Sequence, residues 1–260
     1  MKAKILLNDK EIEVPQEATI LQVARQQGID IPTLCYLEAL EPYGVCRLCV
    51  VEVGGSLPPS IRISCAQYVQ EGLTVRTDSE KVRKNRKLIF EMLLARSPDS
   101  RALIDLAASY GVFESRFYTG DTDDKCVRCG RCVRVCRDRI GAYALCFAHR
   151  GYERKVTTDF ERLSTYCIGC GSCTQVCPTG AIWMVDEEDE RTIYTRDVVI
   201  AKFTLVKCEL SGAPYAPQKY LDFVRRNSDE AMKLDVIRDF CPSCSRAARA
   251  EQLVGEMAIY

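Results

Sequence analysis

Two stretches of the chain repeat one arrangement of thiols. Cys126, Cys129, Cys132 and Cys136 follow C-x2-C-x2-C-x3-C, and Cys167, Cys170, Cys173 and Cys177 follow it again, the second run closing on Pro178. Thiols spaced this tightly converge readily on one metal centre and poorly on each other, and thiolate is a soft ligand suited to iron–sulfur chemistry or zinc. Structural zinc sites use pairs of C-x2-C rather than three evenly spaced cysteines plus one. Each run is therefore read as ligands of a [4Fe–4S] cluster. A third set, Cys35, Cys46, Cys49 and Cys65, is spaced C-x10-C-x2-C-x15-C. A loop supplying three thiolates and a distant strand supplying the fourth suits a [2Fe–2S] cluster, with two thiolates per iron. Gly44 just before Cys46 is expected to let backbone come close to the sulfides, where N–H groups can bond to them, and Gly130, Gly169 and Gly171 to reduce crowding around the cubanes.

The paired runs carry the spacing of bacterial two-cluster ferredoxins, in which the fourth cysteine of each run serves the other cluster. That resemblance implies one cluster on Cys126, Cys129, Cys132 and Cys177, and another on Cys136, Cys167, Cys170 and Cys173. About ten irons per chain follow.

The remaining cysteines are Cys146, Cys208, Cys241 and Cys244. Cys146 lies in the apolar stretch ALCFA and reads as a buried free thiol. Cys208-Glu-Leu-Ser211 and Cys241-Pro-Ser-Cys244 look like a two-knuckle metal site with one cysteine become serine. Similar tails occur on some ferredoxin-like hydrogenase subunits. A complete knuckle pair would hold zinc or iron tetrahedrally. Three thiolates leave open no metal, a metal (Zn or Fe) with another fourth ligand, or an additional [4Fe–4S] cluster. The sequence favours a metal-free or weakly occupied remnant and does not give the fourth ligand. His149 reads as an ordinary surface or packing residue.

The elements that must position these thiols suggest an α+β chain. Residues 1–78 form one small domain: strands at Lys4–Leu7 and Glu11–Val14 around Asn8-Asp9, and a helix opened by a Thr19/Gln22 capping box and closed at Gly28. The cysteine loop follows, then a strand at Val50–Val53, a Gly54-Gly55 turn and a strand near Leu73–Arg76. That is the order of a β-grasp ferredoxin. Residues 79–120 read as a cluster-free helical linker with an apolar stripe of Val82, Leu88, Ile89, Met92 and Leu93. The cations Lys81, Arg83, Lys84, Arg86 and Lys87 on it read as a solvated face, with a docking surface for an acidic partner as the sharper alternative. Residues 121–200 form the two-[4Fe–4S] ferredoxin-like domain, and 201–260 a C-terminal extension with the partial knuckle.

Composition narrows the function. Lys and Arg number 36 and Asp and Glu 36, so no basic excess points to nucleic acid. No apolar run approaches the roughly 18 residues of a membrane helix, so no direct membrane insertion is expected. The start reads directly as a strand rather than a signal peptide, which predicts a cytoplasmic protein with reduced thiols. The sequence has no Walker A motif, no dinucleotide GxGxxG after a strand and no Ser/His/Asp arrangement, so the chain itself is expected to be non-catalytic.

The stretches IPTLCYL and GVCRLCVVEV resemble the N-terminal domain of the iron–sulfur subunit of respiratory complex I. The same domain occurs in diaphorase subunits of NAD-linked [NiFe] hydrogenases, in [FeFe] hydrogenases and in NAD-dependent formate dehydrogenases. Arg137 after the first quartet and Arg150-Gly151-Tyr152 extend the resemblance to about residue 185. In that family the helical segment binds a further [4Fe–4S] through His-x3-Cys-x2-Cys-x5-Cys. Here the matching stretch, near Ser97–Arg101 and on to Tyr110, holds no His or Cys, and no cysteine lies between Cys65 and Cys126. The resemblance implies an electron-transfer subunit of a multisubunit oxidoreductase. Its partners would be a flavoprotein NAD(P)-linked subunit and a metal-dependent catalytic subunit, since two-electron chemistry on NADH, H2 or formate needs cofactors that are not encoded here. The alternative is a free multi-cluster ferredoxin shuttling between enzymes.

Overall fold

The computed structural model describes residues 1–119, 123–227 and 240–257; positions 121–122, where the second cluster region was expected to begin, lie outside the described residues. The chain divides into two compact units, Met1–Arg131 with Cys177–Ala181, and Cys132–Val176 with the chain from Ile182 onward. Among the described residues no helix is long and apolar enough to cross a membrane.

The first unit is built on a five-stranded sheet. β1 (Lys2–Leu7) and β2 (Lys10–Pro15) pair antiparallel in unbroken register from Lys2 opposite Pro15 to Leu7 opposite Lys10. Asn8 and Asp9 between them take φ values of 48° and 67°, the left-handed pair that a tight hairpin needs. Thr19 caps α1 (Ile20–Gln26) with the reciprocal Gln22 contact of a capping box, and Gly28 follows at φ 72°. α1 buries Ile20, Leu21, Val23 and Ala24 against the sheet core of Ile5, Leu7 and Val51. β3 (Val50–Gly55), β4 (Ser60–Ile63) and β5 (Leu73–Arg76) complete the order β2-β1-β5-β3-β4, with β5 parallel to β1 and antiparallel to β3. This is the β-grasp arrangement. Gly54 and Gly55 belong to the strand, opposite Thr74 and Leu73, rather than to a turn. β4 escaped the sequence pattern because its four residues are short and only partly buried.

The helical stretch is two helices, α2 (Glu80–Arg96) and α3 (Arg101–Ser109), capped by Ser79 and Ser100. The buried face of α2 differs from the expected stripe. It carries Val82, Arg86, Phe90, Glu91, Leu94 and Ala95, whereas Leu88 and Met92 are 38 % and 57 % exposed. The reason is Arg86: its Nε donates to Leu48 O (3.3 Å) and its Nη2 to Val50 O (2.8 Å) and Thr77 O (2.9 Å). That fork pins α2 to β3 and rotates the helix away from the purely apolar solution. Arg86 therefore leaves the cationic face, where Lys81, Arg83 and Lys84 pair with Glu52, Asp78 and Glu80. Between these helices Phe90, Leu94, Leu103 and Ala107 pack as an apolar core, and the Phe90 and Tyr110 rings lie 5.4 Å apart.

In the second unit, α4 (Arg131–Arg134, opening at the end of the first unit) runs into a π-helical turn, Val135–Ile140. A two-stranded hairpin, β6 (Cys146–Ala148) with β7 (Lys155–Thr157), precedes the second quartet, which holds the short α5 (Ser172–Gln175). β8 (Ile182–Glu187), β9 (Glu190–Thr195), β10 (Val199–Lys207) and β11 (Pro214–Pro217) form an antiparallel sheet, followed by α6 (Gln218–Asn227) and α7 (Pro242–Met257). The acidic run Asp186–Glu190 is the β8–β9 hairpin. The boundary expected at residue 200 falls inside β10, because the tail supplies strands to the sheet that backs the second quartet.

Candidate iron–sulfur sites

Cys35, Cys46, Cys49 and Cys65 are all at most 5 % exposed. Cys35 and Cys46 hydrogen-bond as one thiol pair, Cys49 and Cys65 as another. Within each pair one thiol is eased and the other opposed. The Cys35 thiol, and N–H groups of Leu34, Leu48 and Cys35, hold Cys46 down at about 6, while the Cys46 partner and burial push Cys35 up. The Cys65 thiol likewise holds Cys49 down at about 7, and the Cys49 partner and burial push Cys65 up. Bound metal ions remove that second penalty by supplying positive charge. Two buried thiol pairs fit the donor set of a two-iron cluster. Gly44 takes φ +66°, and a Cβ there would stand 2.6 Å from the end of the Ile63 side chain, Cδ1.

The quartets do not stay intact as sets. Cys136, from the first run, lines one apolar cavity with Cys167, Cys170 and Cys173 of the second, closed by Ile140, Leu145, Ile193 and Ile200. Four convergent sulfurs on apolar walls fit a [4Fe–4S] cluster. Cys177, from the second run, belongs to the first unit with Cys126 and Cys129, and is close enough to oppose the ionisation of both. Burial is the main effect on these thiols, pushing Cys129 up to about 12 and Cys167 up to about 11, and raising Cys126, Cys136 and Cys173.

Backbone N–H groups are aimed at the sulfurs. Arg128 donates to Cys126, Arg131 to Cys129 and Gly169 to Cys167, each two residues along. Cys136 receives Ala144 N–H at 3.3 Å, with Tyr143 and Leu145 alongside. Arg128 and Gly169 take left-handed φ values of 52° and 73° in these loops. At Gly169 a Cβ would also meet Pro217 Cγ at 2.6 Å.

Three arginines position the loops. Arg131 donates to the carbonyl of Tyr36, beside Cys35. Arg128 pairs with buried Asp124 at 2.6 Å, and Asp124 Oδ1 accepts from Cys126 N–H at 2.8 Å. Arg191 grips Asp186 through two bonds (2.8 and 2.7 Å) and donates to Gly169 O (3.0 Å) and Tyr215 O (3.3 Å), fixing the second quartet's loop to β8 and β11. Sequence reasoning missed all three, since only the C-x-R-C and G-R-C contexts of Arg128 and Arg131 hinted at them.

Of the leftover cysteines, Cys146 is partly buried in β6 rather than fully buried, its thiol raised by burial and by Asp159. His149 is about half exposed and 3.4 Å from Glu161 Oε1. Cys208, Cys241 and Cys244 come together, all three sulfurs within 4.8 Å of one another. Burial works to raise the Cys208 thiol, but hydrogen bonds led by the Ser211 side chain and the Cys241 N–H outweigh it and hold it at about 6.

The fold and these thiol sets define an iron–sulfur electron-transfer protein with a [2Fe–2S] domain followed by a two-[4Fe–4S] domain. Residues 2–80 match the family model for a 2Fe-2S iron-sulfur cluster binding domain, and residues 125–181 that for a 4Fe-4S dicluster domain. The chain resembles the iron–sulfur region of complex I and hydrogenase subunits. It is 33 % identical over 204 residues to an NADH-quinone oxidoreductase subunit of Rhizobium meliloti (strain 1021), covering 69 % of this chain and 24 % of that protein. It is 35 % identical over 211 residues to the NADP-reducing hydrogenase subunit HndD of Solidesulfovibrio fructosivorans, covering 68 % and 35 %. Among solved structures, a chain of an NAD+-reducing [NiFe]-hydrogenase in the H2-reduced state superposes with a TM-score of 0.54 at 29 % identity, over 60 % of this chain and 74 % of that one. The chain thus spans about a quarter to a third of the length of these curated relatives.

Proposed function

We propose that the chain is the iron–sulfur subunit of a larger NAD(P)-linked oxidoreductase, carrying single electrons between a flavin-bearing NAD(P) subunit and a metal-containing catalytic subunit. The catalytic partner would be a hydrogenase, a formate dehydrogenase or a related molybdenum or tungsten enzyme. In this reading Cys35 and Cys46 hold one iron of the [2Fe–2S] cluster, and Cys49 and Cys65 the other. Cys126, Cys129 and Cys177, with Cys132 supplied by the run's spacing, hold one [4Fe–4S] cluster. Cys136, Cys167, Cys170 and Cys173 hold the second. The clusters supply reversible one-electron acceptance. The protein's own part is to bury the thiolates, exclude water from them and aim N–H groups at their sulfurs, which tunes potential.

The observation that carries the reading is a single apolar core in the first unit. It joins Cys35 and Cys46 of the first thiol set to Cys129 of the first quartet through Leu34, Leu48 and Val127. Packed matter of this kind conducts electrons better than water does and protects both sites from it. The trio Cys208, Cys241 and Cys244 stands outside the relay. Thiols kept as ligands rather than as disulfides favour a reducing compartment, which supports a cytoplasmic location. The test is anaerobic purification from the native source with identification of every co-purifying chain. Flavoprotein and metalloenzyme partners at fixed stoichiometry, about ten relay irons per chain and one [2Fe–2S] with two interacting [4Fe–4S] EPR signals are expected. A chain that purifies alone and reduces several unrelated enzymes would instead be a free ferredoxin.

A further inference from the structure

We propose that Cys208, Cys241 and Cys244, with the Ser211 hydroxyl as fourth ligand, form a mononuclear tetrahedral zinc site. The site ties the start of α7 to the loop between β10 and β11. The sequence alone favours a metal-free remnant; the geometry argues otherwise.

The three sulfurs converge within 4.8 Å of one another although Cys208 and Cys241 are far apart in the chain. A zinc ion with sulfurs at about 2.3 Å in tetrahedral geometry sets them about 3.8 Å apart. Side-chain rotations of under an ångström therefore close the trio on one ion. A cubane needs a wider stance, because each thiolate binds a different iron and radiates from a separate corner.

The fourth corner is Ser211. Its Oγ lies 3.9 Å from Cys241 Sγ, and its side chain also interacts with Cys208 and Cys244. The loop that presents it is a closed knuckle: Cys208 N–H donates to Ala213 O (2.9 Å) and Gly212 N–H to Cys208 O (2.8 Å). The opposing knuckle is the first turn of α7. Cys241 stands just before the helix, Pro242 takes its first position, and Ser245 N–H donates to Cys241 O at 2.9 Å. Cys241 N–H reaches across to Cys208 Sγ at 3.2 Å, so a backbone donor already supports a thiolate there. The helix N-terminus offsets the single net negative charge of three thiolates on a divalent ion.

Zinc is the ion chosen because thiolates hold it more tightly than ferrous iron and its filled d shell accepts a mixed sulfur–oxygen tetrahedron. Such an ion changes no oxidation state, so the site is structural.

The test uses the full chain purified anaerobically with its clusters, measuring zinc and iron per chain and recording zinc-edge X-ray absorption, which iron does not obscure. One zinc per chain is expected, with three sulfurs near ~2.3 Å and one oxygen near ~2.0 Å. Cys244→Ala should lose the zinc while the iron content and cluster EPR signals stay unchanged. Ser211→Cys should give a four-sulfur shell that keeps its zinc at chelator concentrations that strip the parent protein, a gain of at least about tenfold in affinity. The proposal is overturned by absence of zinc with the three cysteines alkylated as free thiols or found in a disulfide. Zinc retained unchanged in Cys244→Ala, or four extra irons per chain in place of zinc, overturns it equally. None of these results depends on the identity of the relay's partners.

Discussion

The Arg131 guanidinium donates to the backbone carbonyl of Tyr36, tying the loop of the first cysteine quartet to the residue that follows Cys35. The bond spans 95 positions of sequence and joins two loops that carry cluster thiols. It offers electrons a route of covalent bonds and one hydrogen bond through protein, alongside the apolar core of Leu34, Leu48 and Val127.

Arg131→Ala should therefore slow electron exchange between the [2Fe–2S] cluster and the first [4Fe–4S] cluster while all three remain assembled. The lost charged hydrogen bond costs about 1.5–3 kcal/mol of stability. Rapid-freeze EPR after one-electron reduction reads the exchange. Unchanged kinetics at full iron content would mean that the bond only braces the loops.

The proposed crossed ligation would make two serine variants behave oppositely to their place in the sequence. Cys136→Ser, in the first run, should damage the cluster held by Cys167, Cys170 and Cys173. Cys177→Ser, in the second, should damage the one held by Cys126 and Cys129. Iron content and EPR of each variant decide the matter. If each substitution removed the cluster of its own run, the crossing would be wrong.

Arg86→Leu keeps the bulk of the side chain but strips the donors from Leu48, Val50 and Thr77 carbonyls. Buried acceptors left unpaired cost about 1–3 kcal/mol each before relaxation, so a loss of about 3 kcal/mol is expected, seen as a lower denaturation midpoint of the cluster-loaded protein. The exposed neighbour Lys87→Leu is the control, and its effect should stay within about 0.5 kcal/mol.

Gly169→Ala places a Cβ at φ +73° and 2.6 Å from Pro217 Cγ. The left-handed conformation alone costs about 1–2 kcal/mol, and the clash adds to it. The strain falls on the N–H that serves Cys167, so the second [4Fe–4S] cluster should be lost faster on exposure to air or chelator than in the parent. Decay of its visible absorption and EPR signal measures this.

What could be read in advance was local. Thr19 and Gln22 announce the capping box, and Asn8-Asp9 the hairpin, because each motif's partners lie within four residues. The missing linker ligands were legible for a simpler reason, that no cysteine stands between Cys65 and Cys126. Arg86 shows where such reading stops. It looks like one more cation on a solvated helix, and its burial is set by three carbonyls that only the folded sheet edge presents.

By itself the sequence determined which thiols could share a cluster loop, because C-x2-C spacing fixes how far a few residues of backbone can reach. The tertiary structure decided the rest. It carries Cys136 to the cavity wall of the other run, sets Cys177 beside Cys126 and Cys129, and turns Arg131 onto Tyr36. It also closes Cys208, Cys241 and Cys244 on Ser211. Each of these depends on strands and helices meeting across long stretches of chain, where packing rather than spacing sets the distance.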